Sequence, residues 1–595
     1  MQFRELAATL ERLEAEPKRL AMRALLVELM RPLRPPTLDE VLYLAQGLLR
    51  PEYEGVELGV ADSLARRALA LATGATEEKI RLRTKETGDL GATAAELLAG
   101  RTRLDGAPLE VDHVYAELTR IARAKGEGSQ ETKVTILADL LARATALESK
   151  FLVRFVLGTL RVGVREMTIL DALAVAFADG SKEARQRIEG AFNLSSDLAL
   201  VARTLVEHGV DGLAAISLEV GRPVRPMLAE REPTLEAVLE RLGGTAALEI
   251  KYDGLRVQAH VPEHGPVRLF SRRLDELSAQ FPELVAAIPQ AIRARPAIVE
   301  GECVPVDPDT GEIQPFQAVS RRRGRKHDLA KAQEEIPVCL YLFDVLLAAG
   351  KPTYDLPFPE RRATLERIVR PGEHVQLAEQ RRVANVEEAK SFLDEAIAAG
   401  GEGVMAKSLK PESGYRAGAR GYWWIKYKRD YTAGLSDSID GVVVGAFAGR
   451  GRRAGRWGAF LLAVYDPKRD RFESFTKVGS GFDDASLAEM PKRLQPFEVN
   501  AAPTAVDTGL TPDQWMRPGL VLEVRGAELT LSPVHRAAVG AVRAGAGLAL
   551  RFPRFTGRVR DDKGPTEATT AKELLEMYRA QVRQETPADP AEADG

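Results

Sequence analysis

Cysteine is almost missing from this chain: Cys303 and Cys339 are the only two in 595 residues. Two thiols cannot build a disulfide framework or fill a four-cysteine zinc site. Long apolar runs are missing as well. None approaches the ~18 residues of a membrane span, and the amphipathic start Met1-Gln2-Phe3-Arg4-Glu5 lacks the apolar core of a secretion signal. A cytoplasmic protein without structural zinc or membrane contact is expected. Excess charge of one sign is absent too, with 83 Lys and Arg against 86 Asp and Glu, a net −3. That balance leaves a nucleic-acid partner open, because basic residues can cluster locally. Residues 321–326 and 450–456 form two such clusters, and each reads equally well as a solvated loop. There is no internal repeat. What is present is ordinary globular material, 45% hydrophobic and 28% charged, enough for three or four domains at roughly 150 residues each.

Residues 1–219 read as helical. Phe3, Leu6, Leu10 and Leu13 are spaced by 3, 4 and 3, the stripe of a helix with one buried face. The Ala/Leu-rich stretch 133–178 shows little strand alternation. Within it, Thr159-Leu160-Arg161-Val162-Gly163-Val164-Arg165 sets arginines on both sides of a glycine, either a helix boundary or a place where a phosphate approaches the backbone. Two prolines and a glycine at 220–226 mark a domain linker. Strand-like runs follow at 248–250, 257–261, 267–270, 297–299, 338–342 and 404–407, broken early by the turn signal Asp253-Gly254. An α+β unit over 220–435 is expected. A second change comes at 434–440. Beyond it, short strands at 442–447, 459–465, 472–478 and 520–524 are punctuated by glycine and predict a small closed β-barrel of the OB type over 436–584, ending in a helix at 566–583. The Pro/Ala/acid-rich tail 585–595 is expected to be disordered.

The chemistry centres on Glu249-Ile250-Lys251-Tyr252-Asp253-Gly254-Leu255-Arg256. A lysine at the end of an apolar strand, just before a tight turn, is held in one place. Partial desolvation and neighbouring cations would free its lone pair for attack. Further groups follow in order: Ser271-Arg272-Arg273, Glu300-Gly301-Glu302, Leu342-Phe343-Asp344, Glu402-Gly403-Val404-Met405-Ala406-Lys407, Trp424-Ile425-Lys426-Tyr427-Lys428, and Arg551-Phe552-Pro553-Arg554 with Arg558-Val559-Arg560-Asp561-Asp562-Lys563.

This ordered set resembles the covalent nucleotidyltransferases, and most closely the ATP-dependent DNA ligases of the archaeal and eukaryotic replicative type. The resemblance covers nearly the whole chain, including Gly163-Val164-Arg165-Glu166-Met167-Thr168 in the helical part. It implies an all-α DNA-binding domain, an α+β adenylation domain and an OB barrel. It implies ATP as AMP donor, Mg²⁺, nicked duplex DNA as partner, and a place in DNA replication, repair and recombination. By the resemblance, Lys251 is the nucleophile, and Lys426 and Lys428 neutralise the α-phosphate. Glu249 accepts from the adenine amino group, and Phe343 stacks on the base. Arg256, Arg272 and Arg420 grip ribose and phosphates, Glu302 contacts ribose, and Glu302 and Glu402 hold the metal. Arg554 and Lys563 orient pyrophosphate from the barrel. The stretch Phe555-Thr556-Gly557-Arg558 is one residue longer than the commonest version, so Arg558 and Arg560 are assigned no role. RNA ligases and capping enzymes share the lysine motif but not a 200-residue helical domain ahead of it, and NAD-dependent ligases need four zinc cysteines. A non-catalytic scaffold need not keep Lys251, Glu402, Lys426 and Lys428. A monomer is expected. No Gln-x-x-aliphatic-x-x-aromatic-aromatic peptide supports a sliding-clamp partner.

Overall fold

The structure, a computed structural model, describes residues 1–100, 107–306, 313, 322, 333, 336–428, 438–449, 456–526, 528–532, 534–551 and 553–585. Two compact units divide the chain, Met1–Arg429 and Asp430–Gly595.

The first unit begins with α-helices from Phe3–Ala15 to Leu198–Gly212. Phe3, Leu6, Leu10 and Leu13 are all buried, as their spacing predicts. Local sequence starts several helices. Thr145 and Glu148 form a capping box for Ala146–Val156, and Asp197 accepts from the first backbone N–H groups of the last helix. The segment around Gly163 is an irregular connection between helices Ala146–Val156 and Glu166–Phe177, and Arg161 there reaches Asp89 at 3.3 Å.

The proline-containing connection after the helices is not a free tether. Gly221 N–H donates to His260 Nδ1 at 2.9 Å. The Gln258 amide accepts from Val224 N–H at 2.8 Å and donates to Val224 C=O at 3.2 Å. Burial, with Arg268 acting in the same direction, pushes His260 down to about 3, so its ring stays neutral and its Nδ1 stays an acceptor. On the other side, Arg225 N–H bonds the Asn193 carbonyl at 2.9 Å, and its guanidinium pairs with Glu166 and stacks 4.3 Å from the Phe192 ring.

The α+β region carries strands β1 (Leu228–Arg231), β2 (Ala246–Ile250), β3 (Leu255–Val261), β4 (Arg268–Ser271), β5 (Ala297–Pro305), β6 (Val338–Ala348), β7 (Lys351–Pro352), β8 (Val375–Leu377), β9 (Gln380–Val383), β10 (Gly403–Lys407) and β11 (Arg420–Lys428). They form two sheets. One runs β1-β11-β10-β2-β9; the other runs β4-β3-β5-β6-β7, with β8 beside β6. Helices Leu235–Leu242 and Val386–Ala398 pack on the first sheet, and Pro282–Ala291 and Phe358–Ile368 on the second. Alternation then decides the remaining faces. In β10, Val404 and Ala406 enter the core while Met405 and Lys407 line the cleft. In β2, Leu248 and Ile250 are core and Glu249 faces the cleft.

The basic cluster 321–326 lies outside the described residues except Arg322. That residue is fully buried, 2.5 Å from Glu283, so it is no surface contact for a polyanion. Of the cluster 450–456, only Arg456 is described, and it is exposed. The tail beyond Glu585 lies outside the described residues.

In the second unit, strands Ile439–Ala448, Trp457–Asp466 and Arg471–Val478 pair in succession. Val521–Arg525 pairs with the first of them and with Arg554–Val559. Phe555 N–H also donates to Ser480 C=O, just past Arg471–Val478, at 2.9 Å, and among the described residues the paired strands form a half-barrel sheet of the OB type rather than a fully paired barrel. The extra length at 555–558 becomes a bulge. Val524 pairs with Phe555 and Leu522 with Val559, so one residue faces three, and Gly557 takes φ +92°. Pairing resumes with Arg560 N–H on Val521 C=O at 2.9 Å. Helix Ala571–Glu585 packs on the barrel core through Leu574.

Candidate active site

Between the two sheets lies a cleft of about 630 Å³, lined by Glu249, Lys251, Arg256, Arg272, Glu302, Phe343, Arg420 and Lys426 among others. Eight of the residues singled out in the sequence therefore converge from both sheets.

Lys251 stands just past the end of β2. Its N–H donates to Gly403 C=O, and its C=O accepts from Glu402 N–H, both at 2.9 Å. This pair of bonds joins two segments 150 residues apart and sets two side chains against each other. Lys251 Nζ is 3.0 Å from Glu402 Oε1. Lys428 Nζ contacts the other Glu402 oxygen. Gly403 sits at φ +148°, where a Cβ would lie 2.2 Å from Tyr427 C=O, so no larger residue fits the crossing. Burial pushes the Lys426 ammonium below the usual lysine range. Lys251, Arg231, Arg272 and Arg420 act in the same direction, and together these cations make this end of the cleft electropositive.

The opposite end is apolar and caged. Phe343 presents its ring to the cleft, with the Arg256 guanidinium 5.5 Å from its centroid and Trp424 edge-on at 5.9 Å. Arg256 donates to Glu300 at 2.8 Å and to Met227 C=O at 2.7 Å. Its Nε is buried without a hydrogen-bond partner among the described residues. Tyr415 OH donates to Glu300 at 2.8 Å and accepts from Met227 N–H. Glu249 accepts from Gln380 Nε2 at 2.9 Å and from Lys407 Nζ at 2.7 Å. The sequence reading left Lys407, Gln380 and Tyr415 without a role. For Lys407 the signal was present, because it alternates with Val404 and Ala406 and so shares the face of Met405.

Glu302, across β5 from Arg256, differs from the other acids. Burial raises it to about 7; Lys251, Arg256 and Arg272 counteract this, while Asp253 adds to it. Among the described residues it accepts no hydrogen bond. Arg272 and Arg420 are exposed at the rim. Arg554 belongs to the other unit, exposed on the strand Arg554–Val559. Phe552 lies outside the described residues. Lys563 and Arg560 both bind Asp440, at 2.6 and 2.7 Å.

Family models match three successive regions: DNA ligase N terminus over residues 2–174, ATP dependent DNA ligase domain over 226–428, and ATP dependent DNA ligase C terminal region over 453–563. The chain is 48% identical to DNA ligase 2 of Thermofilum pendens over 588 residues, covering 97% of each chain. The chain belongs to the ATP-dependent DNA ligase family. It is also 44% identical to the DNA ligase of Caldivirga maquilingensis, covering 98% of each. The solved chain Pmar-Lig_Pre, 18% identical with a TM-score of 0.52 over 93% of this chain and 99% of that one, shares the fold. The cleft is asymmetric, with a cationic end at Lys251 and Lys426 and a caged end at Glu249 and Phe343.

Proposed function

We propose that this ligase seals 5′-phosphate/3′-hydroxyl nicks in duplex DNA by three in-line displacements, with Lys251 as the nucleophile. The observation that carries the reading is the Lys251 Nζ in the cleft, 3.0 Å from Glu402 and next to Lys426 and Lys428. In the first step Lys251 Nζ bonds to the α-phosphorus of ATP, the bond to the bridging oxygen breaks, and pyrophosphate leaves. Glu402 is within reach to take the ammonium proton. In the second, a 5′-phosphate oxygen attacks the lysyl-AMP phosphorus and the N–P bond breaks. In the third, the 3′-hydroxyl attacks the DNA phosphate and AMP leaves. Each step is positioning plus charge stabilisation. Lys426 and Lys428 offset the charge on the α-phosphate. Glu249 and Phe343 seat the adenine, Arg256 in the cleft wall and Arg272 and Arg420 at the rim hold ribose and phosphates, and Arg554 with Lys563 acts on pyrophosphate from the barrel.

The residues also fit Mg²⁺. Among the described residues no cluster of three or more His, Cys, Asp or Glu could cage a metal. Glu302 offers an oxygen donor not engaged by hydrogen bonds there. A hard cation completing its shell with water and phosphate oxygens suits such a site. Glu302 would hold it, with Glu402 as second donor once released from its lysines. Bound there, the cation would neutralise phosphate charge. No helix among the described residues is long and apolar enough to cross a membrane, and a cytoplasmic, monomeric enzyme is part of this reading.

The test is incubation with α-labelled ATP followed by a nicked-duplex assay. The wild type should take label, and Lys251→Ala should take none while keeping its melting transition. Lys251→Arg should fail as well, because guanidinium stays protonated. Label persisting on either variant removes Lys251 from the mechanism.

A further inference from the structure

Lys407 is the most enclosed charge in the wall of the cleft. Its side chain is 1% exposed, and that of its partner Glu249 is 3% exposed. The ammonium lies 2.7 Å from Glu249 Oε2, donates to the Phe343 carbonyl at 3.1 Å, and has the ring centroids of Phe343, Phe358 and Trp424 at 4.8, 4.6 and 4.5 Å. Three rings and a carboxylate leave it no freedom to reach a phosphate. Buried ion pairs of this kind contribute little to stability for their desolvation, so its position calls for another account. The geometry supplies one. Glu249 receives one hydrogen-bond donor on each oxygen, from Lys407 on Oε2 and from Gln380 on Oε1, and the Arg362 guanidinium stands 3.6 Å from Oε1. Each carboxylate oxygen can accept a second. What faces the cleft is thus a fixed group that accepts hydrogen bonds and donates none, beside an aromatic ring whose backbone the same lysine grips.

We propose that Lys407 is a positioning residue that sets nucleobase specificity, holding Glu249 as an acceptor-only carboxylate and Phe343 in place so that a purine with an amino group at C6 rather than a carbonyl is selected. This rests on the reading that the base of the nucleotide sits against Glu249 and Phe343. Adenine offers an amino group at that edge. Guanine offers a carbonyl oxygen, which an acceptor-only carboxylate repels. Buried polar groups left unmatched in this way discriminate far more strongly than apolar fit does. Without Lys407, Glu249 Oε2 loses the contact that fixes it, and Arg362 and Gln380 remain on the other oxygen; the carboxylate is then free to swing away, and that admits guanine.

Single-turnover label transfer from α-labelled ATP and GTP tests this in the full chain. The wild type should prefer ATP strongly. Lys407→Met should narrow the ATP-over-GTP preference at least tenfold, and more through the half-saturating ATP concentration than through the maximal rate. A role in folding alone would lower transfer from both nucleotides together. The double variant Lys407→Met/Glu249→Gln replaces the ion pair by a neutral pair, so it decides the matter if the single variant does not fold. Its amide can accept from adenine or donate to guanine, and it too should lack the preference. Wild-type preference retained by either folded variant overturns the proposal. So does a wild type labelled at Lys251 equally well by both nucleotides. A wild type that takes no label at Lys251 fails the functional reading instead.

Discussion

Glu302 stands apart among the acids of the cleft. Glu402 is held by two lysines and Glu249 by Lys407 and Gln380, whereas Glu302 is raised by burial to about 7. Below that pH it carries a proton, and a divalent cation bound there must displace it. Above it, no proton is displaced. The Mg²⁺ concentration for half-maximal label transfer should therefore rise by about tenfold per pH unit below 7 and level off above it. The same titration on Glu302→Gln subtracts the protonation of ATP itself. The variant should need more Mg²⁺ at pH 8 and lose the additional slope. Equal slopes in the two proteins would take Glu302 out of the metal site. At this scale the motif lysines and acids were legible in sequence. The facing of Lys407 was legible too, but its enclosure was not, because that comes from Glu249 on a neighbouring strand and from three rings contributed by β6, β11 and a helix.

At the scale of elements, the barrel strand Arg554–Val559 absorbs its extra residues as a bulge, so Arg560 re-enters register and reaches Asp440. Asp440 accepts from both Arg560 and Lys563 through Oδ2, while its Oδ1 is buried without a partner among the described residues. One carboxylate near the start of the unit thus gathers two cations from near its end. Asp440→Asn leaves Lys563 facing a neutral amide, while Arg560 keeps its two bonds to Asp562 at 2.8 and 2.9 Å. The C-terminal unit should lose stability, because the buried Asp440 position no longer meets Lys563 with a charge. Calorimetry of the full chain should show it as a lower transition for the C-terminal unit, with the larger unit unmoved. A transition within a degree of wild type would mean the network is solvent-screened. Strand positions here were readable from alternation and glycine, but the bulge was not. An inserted residue can lengthen a turn or bulge a strand, and only the pairing partner, Val521–Arg525, decides which.

At the scale of the molecule, the helical domain and the adenylation domain form one compact unit. Tyr53 packs with Phe270 and Leu274, and the connection at 221–228 is hydrogen-bonded on both sides. The helical part should contribute DNA affinity through phosphates, so duplex binding by the full chain should fall steeply with salt. A fragment beginning at Val220 keeps the cleft but uncovers Phe270 and Leu274. It should still take label from ATP, be more prone to aggregate, and seal nicks poorly at moderate salt. Sealing by the fragment at the full chain's rate would deny the helical domain its part in DNA binding.

The order of motifs along the chain was sufficient to assign the fold class and the family, because both rest on local patterns. The apolar period distinguishes helix from strand, and Lys251 is set by the strand and turn around it. Tertiary structure decided what depends on residues far apart in sequence. It placed Glu402 against Lys251 through two backbone bonds across 150 residues. It buried Arg322, which composition alone would leave in a basic patch. It turned a proline-marked linker into a packed strap through Gln258 and His260. It enclosed Lys407 behind Glu249. In each case the deciding quantity is the free energy of removing a charge or a backbone amide from water, and that is fixed by which distant group arrives to meet it.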